Sequence, residues 1–188
     1  MINHVDLSSV LRQTLACDLY SNLVTRPTGA AVRGQIEEML SDSGPRALTV
    51  IDFSHVSMID LSCADEVVAK LLLRYGAENS AQEAYFLFRG VTEHHHDAIE
   101  AVLERHELVA ALEEEDGVRL VGTLSNDERD AWDAVCACGE DGGDSTEIAL
   151  RMGCERRVAE ELLQTLCRRR VMMRVDERFV AVGTSRGG

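Results

Sequence analysis

Two short apolar runs constrain the architecture more than anything else in the chain: Ala47-Leu48-Thr49-Val50-Ile51-Asp52-Phe53 and Glu83-Ala84-Tyr85-Phe86-Leu87-Phe88. Each is short and rich in strand formers, the signature of a sheet-interior strand. Between them, residues 62–75 place Val67, Val68, Leu71 and Leu72 on one side of a helix. Upstream, residues 28–40 put Val32, Ile36, Met39 and Leu40 on one helical face, and Ser41-Asp42-Ser43-Gly44-Pro45 stops that helix with turn residues. Downstream, residues 92–112 read as a helix with Ile99, Val102, Leu103 and Leu108 in spacing, and Gly117-Val118-Arg119-Leu120-Val121 reads as a closing strand. Strands alternating with helices predict an α/β domain with at least partly parallel pairing. Residues 5–15 and 19–24 fit a strand or a short helix equally well.

The pattern changes at Ser125. Ser125-Asn126-Asp127-Glu128 is an N-cap with glutamate at the capping-box position, leading into helical spacing through Trp132 and Val135. A polar, glycine-rich break at residues 139–144 precedes a short helix over 145–152, stopped by Gly153. A longer helix over 154–169 follows, with Val158, Ala159, Leu162, Leu163 and Leu166 turned inward. Residues 171–175 and 178–182 read as a hairpin around Asp176-Glu177. Three helices and then a hairpin is the winged-helix order. The expected fold class is therefore α/β, in two domains: residues 1–122, and a small winged-helix (α+β) domain over residues 125–188.

The stretch Val50-Ile51-Asp52-Phe53-Ser54-His55-Val56-Ser57-Met58-Ile59-Asp60-Leu61-Ser62 resembles the signature of STAS domains, in which a strand leads through a short loop into a serine-bearing helix. Phe88-Arg89-Gly90-Val91-Thr92 resembles the family's strand-to-helix turn, and His106-Glu107-Leu108 with Gly117 its closing segment. Thr25-Arg26 resembles the motif that opens STAS-like relatives. The resemblance covers roughly residues 18–122 and implies a STAS-like mixed sheet with helices. It also implies a bacterial regulatory protein of the anti-sigma-factor-antagonist type, acting in partner switching. In that family the serine two positions after the loop aspartate is phosphorylated by an ATPase-like kinase. Carried over, that position is Ser62, and Asp60, Ser62, Asp65 and Glu66 become the candidate partner surface. The partner implied is a protein, an ATPase-type kinase or an anti-sigma factor; a homodimer is a further reading.

Ser62 also reads simply as a helix N-cap in Ser62-Cys63-Ala64-Asp65. His94-His95-His96, with Glu93 and Asp97, invites a metal, but successive helical residues point about 100° apart and cannot converge on one ion. The sequence is read as a solvated first turn, and no metal or cofactor is expected. The six cysteines (17, 63, 136, 138, 154 and 167) have neither paired-CxxC nor knuckle spacing and read as core residues. No phosphate loop, His-Glu-x-x-His or nucleophile elbow is present, so nothing recommends an enzyme.

Charge bears on the remaining alternatives. The formal net charge is −14, and residues 1–124 hold 20 acidic against 9 basic side chains, leaving −11 there and −3 beyond. Such a chain repels nucleic acid and anionic lipid at long range. If the winged helix bound DNA, its contacts would be Arg156, Arg157, Arg168, Arg169, Arg170 and Arg178. Glu160 and Glu161 follow the first two at i+4 and oppose that reading. A DNA-binding regulator with the STAS-like domain as sensor is thus the alternative, and a small-ligand or nucleotide sensor a third. The absence of a signal-like N-terminus or an apolar run near 18 residues points to a cytoplasmic protein.

Overall fold

The computed structural model describes residues 2–7, 9–10, 22–77, 80 and 82–183. Strand β1 is Ile2–Asp6, β2 Asn22–Leu23, β3 Arg46–Asp52, β4 Met58–Ile59, β5 Glu83–Arg89, β6 Val109–Glu114, β7 Gly117–Gly122, β8 Met172–Val175 and β9 Arg178–Ala181. Helix α1 is Arg26–Ser41. A continuous second helix is built from α2 (Leu61–Ala64), a π-helical turn (Asp65–Ala69) and α3 (Lys70–Gly76). Then come α4 (Glu93–Arg105), α5 (Asn126–Cys136), α6 (Ser145–Met152) and α7 (Arg156–Arg168).

The main sheet has the order β1-β3-β5-β6-β7. Strands β1, β3, β5 and β6 pair in parallel, and β7 closes the sheet antiparallel to β6. The first strand thus joins the sheet edge in register with β3, Asn3 opposite Thr49, which resolves the opening of residues 5–24 in part; residues 11–21 lie outside the described residues.

Alternation along the strands sends side chains to two opposite cores. Ile51, Phe53, Phe86, Phe88 and Leu112 pack under α1, α2–α3 and α4. Leu48, Val50, Tyr85, Leu87, Ala111 and Leu120 face the other way and pack against Trp132, Val135, Leu163, Leu166 and Phe179. The three C-terminal helices and their hairpin therefore cover the second face of the sheet. This two-sided burial is why β3 and β5 are apolar throughout rather than alternating.

Two expectations are corrected. The helix read over residues 92–112 ends at Arg105; Glu107 turns the chain at φ 54°, and residues 109–114 are the strand β6. Leu108 and Leu112 continue the helical spacing and alanine favours helices, so periodicity carries no stop signal there. Pairing with β5 and β7 overrides that local preference. The second correction is Val158, which is 40% exposed, whereas Ala159, Leu163 and Leu166 are buried as expected.

Local chemistry agrees with the sequence at the start of α5. The Ser125 N–H donates to Glu128 Oε2 (2.8 Å) and the Glu128 N–H to Ser125 Oγ (3.1 Å), a reciprocal capping box. No helix of the described residues is long and apolar enough to cross a membrane.

The histidine triplet divides. His94 is exposed and His96 lies 3.7 Å from Glu100. His95, read as solvated, is fully buried against Phe53. The Thr92 N–H donates to His95 Nδ1 (3.1 Å), and His95 Nε2–H donates to the Val56 carbonyl (2.9 Å). A backbone N–H can only donate and a carbonyl only accept, so the ring is the neutral Nε2–H tautomer. Burial outweighs the bond to Val56 and holds the His95 pKa below the ordinary range. The unfolded chain therefore takes up this proton before the folded one, and stability is lost as pH falls below about 6.5. Thermal melts between pH 7.5 and 5.5 are expected to show a steeper loss for wild type than for His95→Gln. Parallel slopes would refute this assignment.

Candidate functional site

The segments at Thr25-Arg26 and residues 60–66, distant in sequence, come together in the fold. The loop between β3 and α2 ends on Asp60, which caps the helix: its Oδ1 accepts the Cys63 N–H (2.7 Å) and the Ser62 hydroxyl (2.9 Å), and its Oδ2 accepts the Thr25 N–H (3.0 Å). Burial pushes the Asp60 carboxyl up, but the backbone donors of Thr25 and Cys63 outweigh it and hold the group below the usual carboxylate range. The N-cap is thus Asp60, which corrects the reading of Ser62 as the cap. Ser62 sits in the first turn, half-buried, beside Leu61 (40% exposed) and within a few residues of Met58 (48% exposed).

Thr25 carries φ 78°, an uncommon conformation for a β-branched residue. Such strain costs about 1–3 kcal/mol and persists only where the surroundings over-determine it. Here they do: Asp60 holds the Thr25 N–H, while the Thr25 carbonyl accepts from the Gly29 N–H (3.1 Å) and the Cys63 thiol (2.9 Å). Gly29 allows α1 and α2 to approach this closely, because a Cβ there would lie 2.9 Å from Cys63 Cα and 3.0 Å from Glu66 Cβ.

Asp65 and Glu66, expected on a partner surface, are buried, at 7% and 2% exposure. The π turn brings both toward α1. Arg26 Nη1 donates to Asp65 Oδ2 and to Glu66 Oε1, each at 2.8 Å. Glu66 also receives Arg33 (3.2 Å) and Lys70, and His106 Nε2 lies 2.8 Å from Asp65 Oδ1. Burial pushes both carboxyls up, yet the bonds from Arg26 and His106 to Asp65, and from Lys70 and Arg26 to Glu66, hold them below the ordinary range. Glu37 extends the array, bridging Arg33 (2.8 Å) and Arg74 (2.7 Å). The cluster fixes the geometry beneath Ser62. Adjacent acids read as solvent-facing in sequence, and their partners on α1 carry no local signal that could have exposed the network.

Each of the six arginines considered for DNA is engaged by neighbouring groups. Arg169 bonds the Thr123 carbonyl and pairs with Glu128 (3.3 Å). Arg170 donates to the Tyr75 carbonyl (3.3 Å) and Glu83 (3.2 Å) and lies over the Tyr85 ring. Arg178 donates to the Asp141 and Gly142 carbonyls at 2.8 and 2.5 Å. These three tie the C-terminal segment together or to the sheet. Arg168 donates to Thr165 Oγ1 (2.9 Å), Arg156 to Ser145 Oγ (3.1 Å), and Arg157 lies 3.8 Å from Glu161.

Among the described residues no group of three His, Cys, Asp or Glu side chains is placed to hold a metal ion. Cys63, Cys136, Cys138, Cys154 and Cys167 are free; Cys17 lies outside the described residues. Burial, with Asp60 next, pushes the Cys63 thiol up to about 12, and burial pushes Cys136 and Cys167 to about 11. Thiols protonated at neutral pH are poor nucleophiles.

Comparison with family models, curated proteins and solved structures gives no match.

Proposed function

We propose that this chain is a non-enzymatic regulatory protein of the partner-switching type, which binds a protein partner at the face around Ser62 and is switched by phosphorylation of that serine. The observation that carries the reading is the placement of the Ser62 hydroxyl. It stands half-buried in the first turn of a helix, donates to a carboxylate, and is adjoined by an exposed leucine. An apolar contact next to a modifiable hydroxyl is a surface whose affinity a charge can change.

The switch follows from the geometry. Phosphorylation removes the proton that Ser62 donates to Asp60 and adds a charge of about −1.5 to −2. That charge would stand where the hydroxyl now lies 2.9 Å from a carboxylate. Helix N-terminal N–H groups favour an anion there, but Asp60 already uses the Cys63 N–H. The phosphate displaces Asp60 from its cap, and the Thr25 N–H loses its acceptor with it. The partner would be an ATPase-type kinase or an anti-sigma factor in the cytoplasm, with the C-terminal helices and hairpin forming a winged-helix unit that serves protein contact rather than DNA.

The test is a quantitative pull-down from native lysate with wild-type, Ser62→Ala and Ser62→Asp baits of matched thermal stability, followed by phosphosite mapping. A regulatory ATPase retained by wild type and Ser62→Ala but lost by Ser62→Asp is the expected result. Equal capture by all three baits would make Ser62 a structural residue of the first turn.

A further inference from the structure

The outer side of the C-terminal helices carries a groove unrelated to Ser62. It lies between α5 and α7, has a volume of about 580 Å³, and its apolar lining includes Ala134, Ala137, Met152, Val158 and Leu162. Val158 and Leu162, four apart on α7, lie one above the other on one helical face. Val158 is 40% exposed, and Leu150 on the adjoining α6 is 84% exposed. Ala134 and Ala137 leave room for a backbone to approach α5.

One wall of this groove is acidic. Asp127, Asp130 and Asp133 line it, recurring every three residues along α5, and all three are exposed. Six residues of helix span about 9 Å, and a three-residue spacing rotates each carboxylate about 60° from the last, so the three form a short acidic rail that winds partly around α5. Among the described residues none of the three takes part in an ion pair or a side-chain hydrogen bond. Glu128, on the same helix, is buried and paired with Arg169. Arg151, which also lines the groove, is bonded to Glu147 (3.2 Å).

We propose that this groove docks a basic amphipathic helix of a protein partner, with apolar residues at i, i+3, i+4 and i+7 seated over Val158 and Leu162 and a row of Lys or Arg set against Asp127, Asp130 and Asp133. Helix-in-groove docking uses that periodicity, and charge complementarity fixes its orientation. A nucleic acid is repelled by the rail. A second copy docking through the same groove would bring the same three carboxylates opposite themselves, because a two-fold interface pairs a patch with itself.

The test uses a fluorescently labelled Leu/Lys amphipathic peptide of about 18 residues, long enough to hold a helix once bound. Its controls are a Leu/Glu peptide of the same pattern and a Leu/Lys peptide with the pattern scrambled, all titrated against the full chain at near-physiological salt. Amide chemical-shift mapping locates the site. The patterned Leu/Lys peptide is expected to perturb Ala134, Ala137, Val158 and Leu162. Its affinity should fall about ten-fold or more in D127N/D130N/D133N and in Val158→Asp, a change of roughly 1.4 kcal/mol or more. The Asp→Asn variant alters exposed side chains only and keeps the test valid if Val158→Asp lowers the melting temperature. No binding, binding unchanged in D127N/D130N/D133N, equal binding of the scrambled peptide, or perturbations confined to other surfaces would each overturn the proposal.

Discussion

A chain ending at Leu124 is expected to aggregate, even though the β-α pattern that defines the sheet is complete by then. The reason is the second core. Val50, Tyr85, Leu87, Val109, Ala111 and Leu120 leave the sheet on the face that α5–α7 and the β8–β9 hairpin cover, and each is at most 3% exposed in the full chain. Removing that cover uncovers an unbroken apolar face, and surfaces of that kind drive association. Polar ties across the junction go with it, among them Arg170 to the Tyr75 carbonyl and Glu83, and Arg46 to the Arg174 carbonyl (3.3 Å). Size-exclusion chromatography of the fragment is expected to show aggregates that bind a hydrophobic dye. The intact chain is expected to melt in one transition by both circular dichroism and Trp132 fluorescence. A monomeric fragment with a cooperative melt, or two separate transitions in the intact chain, would show the two segments to be independent units.

The second large effect is electrostatic. Glu66 is 2% exposed and holds its charge only because Arg26, Arg33 and Lys70 converge on it. The double variant R33M/K70M leaves that carboxylate with one cation. Breaking a buried pair costs about 3–5 kcal/mol, and the low end applies because Arg26 remains. On the order of 3 kcal/mol corresponds to a melting temperature lowered by roughly 6–12 °C in a chain of this size. The pH dependence carries the sign. In wild type the depressed Glu66 pKa gives stability that is present above about pH 4.5 and lost as pH falls through the folded value. In the variant burial dominates, the Glu66 pKa rises, and protonation relieves the stranded charge. The deficit is therefore expected to be largest at neutral pH and to narrow toward about pH 5. A deficit that stays constant across that range would mean that lost packing, rather than charge, is responsible.

Features carried by local pattern were legible in the sequence. Strands β3 and β5 announced themselves as apolar runs, α5 by its Ser125–Glu128 box, and the last hairpin by Asp176, which turns at φ 54°. Features that depend on what lies across the fold were not. Strand β6 looked like a continued helix, since nothing in Val109-Ala110-Ala111-Leu112 says that β5 waits beside it. His95 sat among polar neighbours, and its burial depends on the Val56 carbonyl, 39 positions away, and on the Phe53 ring. Asp65 and Glu66 were picked out as important and misplaced as surface, because charge predicts exposure unless its counter-charges are in view. Thr25-Arg26 drew attention by resemblance; its strained backbone and its bonds to Asp60 and Asp65 belong to the folded chain alone.

The two-faced sheet also limits how such a chain can change in length. In β5, Tyr85 and Leu87 point into one core and Phe86 and Phe88 into the other. Deleting or inserting one residue there would exchange the two sets across the sheet, sending Phe86 and Phe88 against Trp132 and Tyr85 toward Val67. A sheet with one solvated face could absorb such a slip by turning polar residues inward at moderate cost; here both destinations are already filled to close packing. Indels are therefore confined to connections outside the paired strands, such as Glu115-Asp116 between β6 and β7 or the glycine-rich stretch between α5 and α6.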